Sequence, residues 1–185
     1  MADVLILTTG GTIDKLYFDA LSTYQIGESV VDRVLRTAQV TLPYRVAEVM
    51  RKDSLELTDE DRAVIARTAA EAPEQRIIIT HGTDTMAHTA QALAPAVPGK
   101  TIVLVGALSP ARFAESDAAF NLGMAIATAQ VAAPGVWIAM NGTIFDGLRV
   151  RKDRAANAFV AVDGQGRAVA GWGTAGRVFR PAAGD

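Results

Sequence analysis

A chain of 185 residues, half of them hydrophobic and 21% charged, has the length and composition of one ordinary globular domain with a core of its own. Its 18 basic against 20 acidic side chains leave a formal charge of −2, so no net positive field exists to hold nucleic acid or an anionic membrane. The absence of cysteine excludes disulfides, iron–sulfur clusters, thiolate zinc sites and thiol nucleophiles, and two histidines, His81 and His88, cannot form a histidine-rich metal site.

The segment from Met1 to Leu7 carries an acid, Asp3, where a secretory leader needs positive charge, and its apolar run is too short to span a bilayer. The expectation is a cytoplasmic protein with no membrane segment. Val4–Leu7 is the first predicted strand, short and almost continuously apolar, as strands covered on both faces are. Glu28–Ala38 follows with helical spacing, placing Val30, Val31, Val34, Leu35 and Ala38 on one side. Thr58 is a good N-cap. Asp59, Glu60 and Asp61 then sit at the positive end of a helix that continues through Val64, Ile65 and Ala69. Strands at Arg76–Thr80, Thr101–Val105 and Val136–Met140 alternate with helices from Thr83 to Leu93 and from Ser116 to Gln130. This alternation predicts a single α/β domain over residues 1–185, a mostly parallel central sheet with helices on both faces. Beyond Lys152 the composition shifts to Gly, Ala, Val and Arg. Val160–Val169 reads as a hairpin turning at Asp163-Gly164, and Pro181–Asp185 as a frayed end.

Ligands of open α/β sheets sit beyond the carboxyl ends of the strands. Those ends read Thr8-Thr9-Gly10-Gly11-Thr12, Thr80-His81-Gly82-Thr83-Asp84, Gly106-Ala107 and Asn141-Gly142. Neither nucleotide-binding glycine pattern is met: Ala94 stands where a phosphate loop before Gly99-Lys100-Thr101 needs glycine, and Gly10-Gly11 runs on into Thr12-Ile13-Asp14. Thr12 after two glycines has the parts of a nucleophile with backbone N–H groups for an oxyanion, or else of a tight turn with a satisfied hydroxyl. Thr83 and Asp84 are either helix caps or a second presentation of the same Gly-Thr chemistry on the same edge. His81 reads as a packed residue and His88 as a helix-surface one. Lys152 is a solvated lysine among Arg149, Arg151 and Arg154, or a proton relay if held beside a carboxylate and a hydroxyl.

Taken together, Thr8-Thr9-Gly10-Gly11-Thr12-Ile13, His81-Gly82-Thr83-Asp84-Thr85-Met86, Asn141-Gly142-Thr143 and Asp146-Gly147 resemble, in order and over most of the chain, the bacterial-type L-asparaginase family. The resemblance implies an enzyme that hydrolyses L-asparagine to L-aspartate and ammonia with no cofactor or metal. It implies Thr12 as the primary nucleophile, with Thr83, Asp84 and Lys152 as the second threonine and its partners. Gly11 and Thr83 would help to bind the oxyanion, and Ala107 would contact the amide. Asp53 and Ser54 would meet the substrate's α-carboxylate, and Asp84 its α-ammonium. The family's catalytic tyrosine corresponds to Tyr24, within Tyr24-Gln25-Ile26-Gly27, with Tyr17 as the second choice. In the family, active sites lie at subunit contacts, so a homo-oligomer built from dimers is expected.

Two departures qualify this. The family's common members carry a second domain that completes a neighbour's site, and this sequence resembles the N-terminal domain alone. Leu55 stands where a polar residue usually follows the serine. Weak affinity and little glutaminase activity are therefore expected. A catalytically impaired amino-acid-binding or regulatory domain, or another amide hydrolase of the superfamily such as a tRNA-dependent amidotransferase component, are the alternatives.

Overall fold

The structure is a computed structural model that describes residues 3–18 and 23–169. In chain order the strands are β1 (Val4–Thr8), β2 (Lys15–Phe18), β3 (Thr23–Ile26), β4 (Tyr44–Glu48), β5 (Arg76–Thr80), β6 (Thr101–Val105), β7 (Gly135–Met140), β8 (Thr143–Asp146), β9 (Val150–Asp153) and β10 (Ala158–Ala161). The helices are α1 (Val31–Thr37), α2 (Asp59–Glu71), α3 (Met86–Leu93) and α4 (Ala118–Val131). Six strands form one sheet in the order β4-β1-β5-β6-β7-β8, parallel throughout except for β8, which runs antiparallel to β7.

The apolar runs of the sequence follow from coverage on both faces. Alternate residues Val4, Ile6, Ile78, Val103 and Val105 pack with Val31 and Leu35 of α1 and Leu122 and Ala125 of α4. Their neighbours Leu5, Leu7, Ile77, Ile79, Ile102 and Leu104 pack with Ile65 and Ala69 of α2 and Ala90 and Leu93 of α3. Both side-chain sets of each central strand are thus removed from water, which erases the polar alternation of a one-sided sheet. The predicted α/β architecture is the one observed.

Helix starts differ from the sequence expectation for local reasons. The Thr58 cap is as predicted, and it is a full capping box, with Thr58 Oγ1 accepting from Asp61 N and the Asp61 carboxylate accepting from Thr58 N. Helix α1 begins at Val31, because the Val30 N–H is taken by the Asp14 carboxylate. Helix α3 begins at Met86, so Thr83 and Asp84 lie in the turn before it and cap nothing. Helix α4 begins at Ala118. Asp117 precedes it without capping it, since its carboxylate accepts from Leu108 N, Ser109 N and Asn121 Nδ2.

Sequence reading missed β4 and β8 at the sheet edges and both two-stranded ribbons, β2–β3 and β9–β10. The expected Val160–Val169 hairpin is present in short form, turning from Asp163 with the bridge Val162–Ala168 and a bond from Val169 N to the Ala161 carbonyl at 2.9 Å, and Ala158–Ala161 pairs in addition with β9, which was not foreseen. That pairing holds Lys152 opposite Phe159. The frayed end foreseen at Pro181–Asp185 lies outside the described residues.

Candidate active site at the carboxyl edge of the sheet

Three loops leaving β1, β4 and β5 meet with almost no side chain between them. Gly11 has φ 90°, a left-handed conformation that favours glycine. A Cβ there would stand 2.6 Å from the Cα of Gly82, and a Cβ on Gly82 would stand 2.5 Å from Ser54 Oγ. The two threonines of interest each directly follow one of these touching glycines. Thr12 opens the short 3₁₀ turn Thr12–Asp14 and is partly exposed, whereas Thr83 is buried. Thr9, by contrast, spends its hydroxyl on the Thr80 carbonyl at 2.7 Å and serves the strand end.

Lys152 reaches this cluster from β9. Its Nζ donates to Thr83 Oγ1 at 2.7 Å and to Asp84 Oδ1 at 3.1 Å. The ammonium is largely shielded from water, with its side chain 13% exposed. Arg154 Nε lies 3.7 Å from the same Asp84 oxygen. Of the basic loop residues, Lys152 is the one whose charge faces a hydroxyl and a carboxylate at hydrogen-bond distance, the arrangement a relay requires.

Ser54 sits in the 3₁₀ turn Ser54–Glu56, buried, with no partner for its Oγ among the described residues; its carbonyl accepts from Thr85 Oγ1 at 2.7 Å. Asp53 precedes it. Its Oδ2 pairs with Lys15 Nζ at 2.8 Å and its Oδ1 accepts from Leu55 N at 3.1 Å. Burial opposes ionisation of Asp53, but Lys15 and the Leu55 N–H outweigh it and hold the carboxyl below its ordinary value. Leu55 is 63% exposed and offers no polar group. Ala107 is buried in the loop after β6, next to Gly106, whose carbonyl accepts from Asn121 Nδ2 at 3.1 Å.

His81 is fully buried, as expected for a packed residue, and His88 is exposed on α3. Neutral His81 donates from Nδ1 to the Gly82 carbonyl at 2.7 Å and accepts from Thr89 Oγ1 at Nε2, 2.8 Å away. Burial pushes its pKa down to about 4, with the Gly82 contact pulling weakly the other way. Tyr17 and Tyr24 face each other in the register of the β2–β3 ribbon. Their side chains, and with them the choice between the two, lie outside the described residues.

The structure therefore brings Gly11, Gly82, Ser54, Thr83, Asp84 and Lys152 into one cluster. Sequence reading missed Lys15 and Thr85. Lys15 looks like any charged residue of a loop, and Thr85 was hidden behind Thr83 as one more hydroxyl of the same motif. Among the described residues, no helix is long and apolar enough to cross a membrane.

Comparison with known proteins identifies the family. Residues 3–175 match the family described as "Asparaginase, N-terminal". The L-asparaginase of Thermococcus kodakarensis is 33% identical over 174 residues, covering 86% of this chain and 51% of that protein. Its solved structure superposes with a TM-score of 0.75 at 29% identity, covering 98% of this chain and 58% of that one. A glutaminase-asparaginase of Pseudomonas fluorescens is 32% identical over 166 residues, 82% of this chain and 46% of its own. One component of the glutamyl-tRNA(Gln) amidotransferase of Methanococcus vannielii is 43% identical over 84 residues, 41% of this chain and 20% of its own. This chain thus spans about half the length of the full asparaginases it matches. With a family model that matches most of the chain and relatives above 30% identity, the chain belongs to the asparaginase family.

Proposed function

We propose that this protein is a cytoplasmic amidohydrolase that converts L-asparagine to L-aspartate and ammonia through a threonine-bound acyl-enzyme. The observation that carries the reading is the Lys152–Thr83–Asp84 contact, formed across 69 residues of sequence between a buried hydroxyl, a carboxylate and an ammonium. A module that only bound an amino acid would have no use for a lysine aimed at a threonine hydroxyl. In the proposed reaction Thr12 Oγ attacks the carboxamide carbon and a C–O bond forms. The Thr12 proton passes through the Thr83–Lys152 pair to the departing nitrogen, the C–N bond breaks and ammonia leaves. Water then adds to the ester, the acyl C–O bond breaks, and Thr12 recovers its proton as aspartate departs. Backbone N–H groups beside Gly11 and Thr83 are the donors for the oxyanion.

Substrate choice follows from the polar end. Leu55 supplies no hydrogen bond, and each bond to a charged group is worth about 1.5–3 kcal/mol, so a raised KM is expected. Glutamine's extra methylene displaces its polar end from Ser54 and Asp84, and its kcat/KM should fall at least about tenfold below that for asparagine. Ammonia release from asparagine, glutamine and D-asparagine tests this. Equal kcat/KM for the two L-amides, or no release from asparagine, would defeat it. The partial match to an amidotransferase component favours a second reading, a part of a larger enzyme that supplies it with ammonia. Rapid turnover of free asparagine by the chain alone would speak against that.

A further inference from the structure

We propose that Lys15 is a substrate-binding residue that, together with the Ser54 hydroxyl, reads the carboxylate at the polar end of the amide substrate. The proposal rests on the amidohydrolase reading above and adds to it a residue that no sequence motif marks.

The Ser54 hydroxyl is buried, lacks a partner among the described residues and faces Gly82, within the cluster that holds Thr83. A buried hydroxyl left unpaired is costly, so a ligand oxygen is its natural partner. Yet the neighbouring side chain, Asp53, is an anion, and an anion beside the serine would repel a carboxylate. Lys15 resolves the conflict. Its Nζ lies 2.8 Å from Asp53 Oδ2, both side chains being about a quarter exposed, at 27% and 26%. The carboxylate is thereby neutralised, and of the three ammonium donors Asp53 engages one. A cation with donors to spare, paired to the residue that directly precedes a buried hydroxyl donor, has the charge and the donors that a carboxylate needs.

Position is as important as charge. Lys15 opens β2 three residues after Thr12 and pairs in register with Ile26 of β3. Ile26 Cγ2 and Lys52 N both press on Gly10, each 2.8 Å from where its Cβ would be. The ribbon and the Lys52–Ser54 segment therefore converge on the glycine loop that carries Thr12. Asp14 fixes the base of the ribbon: its carbonyl accepts from Gly27 N at 2.9 Å and its buried carboxylate from Val30 N at 2.9 Å. Lys15 is thus held at a set place, and it supplies at the polar end the contact that Leu55 does not.

Steady-state kinetics on Lys15→Met and Lys15→Gln test the assignment. KM for L-asparagine should rise at least about tenfold in both, the order of one hydrogen bond between charged groups, with a much smaller change in kcat. Lys15→Arg should restore most of the loss. The inhibition constant of 3-aminopropanamide, asparagine with hydrogen in place of the carboxylate, should move less than that KM. If Lys15 merely latched the ribbon, kcat would fall and both ligands would weaken in parallel, and the proposal would be overturned. An unchanged KM in both variants would overturn it as well, while active wild-type enzyme left the amidohydrolase reading standing. Wild-type protein that released no ammonia from asparagine would remove that reading and this one together.

Discussion

Two shielded lysines stand at opposite edges of the same sheet. At the amino edge, Lys100 donates to the carbonyls of Ala69 and Ala72 and closes the carboxyl end of α2. At the carboxyl edge, Lys152 donates to Thr83 Oγ1 and Asp84 Oδ1. Backbone carbonyls can only accept, so the charge of Lys100 is consumed by structure. A hydroxyl and a carboxylate can both give and take a proton, so in the proposed reaction that of Lys152 serves chemistry. Nearby, the pair Arg45–Glu74, at 2.6 and 3.1 Å, is likewise closed on itself at the amino edge. The carboxyl edge instead leaves Ser54 Oγ open. What marks the functional edge is the kind of partner a buried polar group has been given.

The largest expected effect lies at the carboxyl edge. Thr12→Ala, Thr83→Ala and Lys152→Met should each lower turnover of asparagine roughly a thousandfold or more, as loss of one member of a concerted catalytic set does. The melting temperatures of Thr12→Ala and Thr83→Ala should stay close to wild type, since no large core side chain is removed and one hydrogen bond is worth about 1 kcal/mol. Any of the three with near-normal turnover would show that the edge comparison misassigns function.

The converse substitution sharpens the contrast. Lys100→Met should leave kcat and KM alone while removing the donor from two helix-end carbonyls, at a cost of about 3 kcal/mol. For a chain of this length that corresponds to a drop of about 6–12 °C in Tm, readable by circular dichroism. A Tm within a degree or two of wild type would mean that water replaces this cap without loss.

Sequence showed the carboxyl edge better than the amino edge, for a physical reason. Glycine beside threonine at a strand end is a local statement about backbone approach and a presented hydroxyl, and both Gly11-Thr12 and Gly82-Thr83 proved to sit where the sheet brings them together. The core strands were legible because burial on both faces leaves only apolar residues. The partnerships of Lys15, Thr85 and Lys100 were not, because each depends on residues between 28 and 38 positions away and no local pattern encodes that. Edge strand β4 was obscured by its own exposure, since Tyr44 and Arg45 leave a run that looks like loop. The tyrosine assignment stayed between Tyr17 and Tyr24, two residues that a tight ribbon places opposite each other.

The smallest effect concerns His81, a polar group at the functional edge whose bonds are all satisfied. Its folded pKa of about 4 lies below the ordinary 6.5, so the unfolded chain takes up the proton first. The contribution of this residue to stability is therefore complete above about pH 6.5 and is lost as pH falls toward 4, amounting to about 2 kcal/mol by pH 5. His81→Asn retains an N–H for the Gly82 carbonyl but cannot titrate. Thermal melts from pH 7 to pH 5 should show a shallower decline for this variant. Parallel curves would mean that the acid sensitivity arises elsewhere.

The contact between Gly11 and Gly82 has a consequence for how the site keeps its dimensions. Strands β1 and β5 are adjacent and aligned so that Thr8 stands opposite Thr80, and each continues by only a few residues to its reactive loop. Because the loops touch main chain to main chain, no rotamer intervenes between them. The spacing of the two hydroxyl-bearing turns is thus a property of the peptide ladder, about 4.8 Å from strand to strand, and not of any side chain that drift could alter. A lineage is then at liberty to exchange the interior aliphatic residues of β1 and β5 for others of similar bulk while the gauge between Thr12 and Thr83 stays constant.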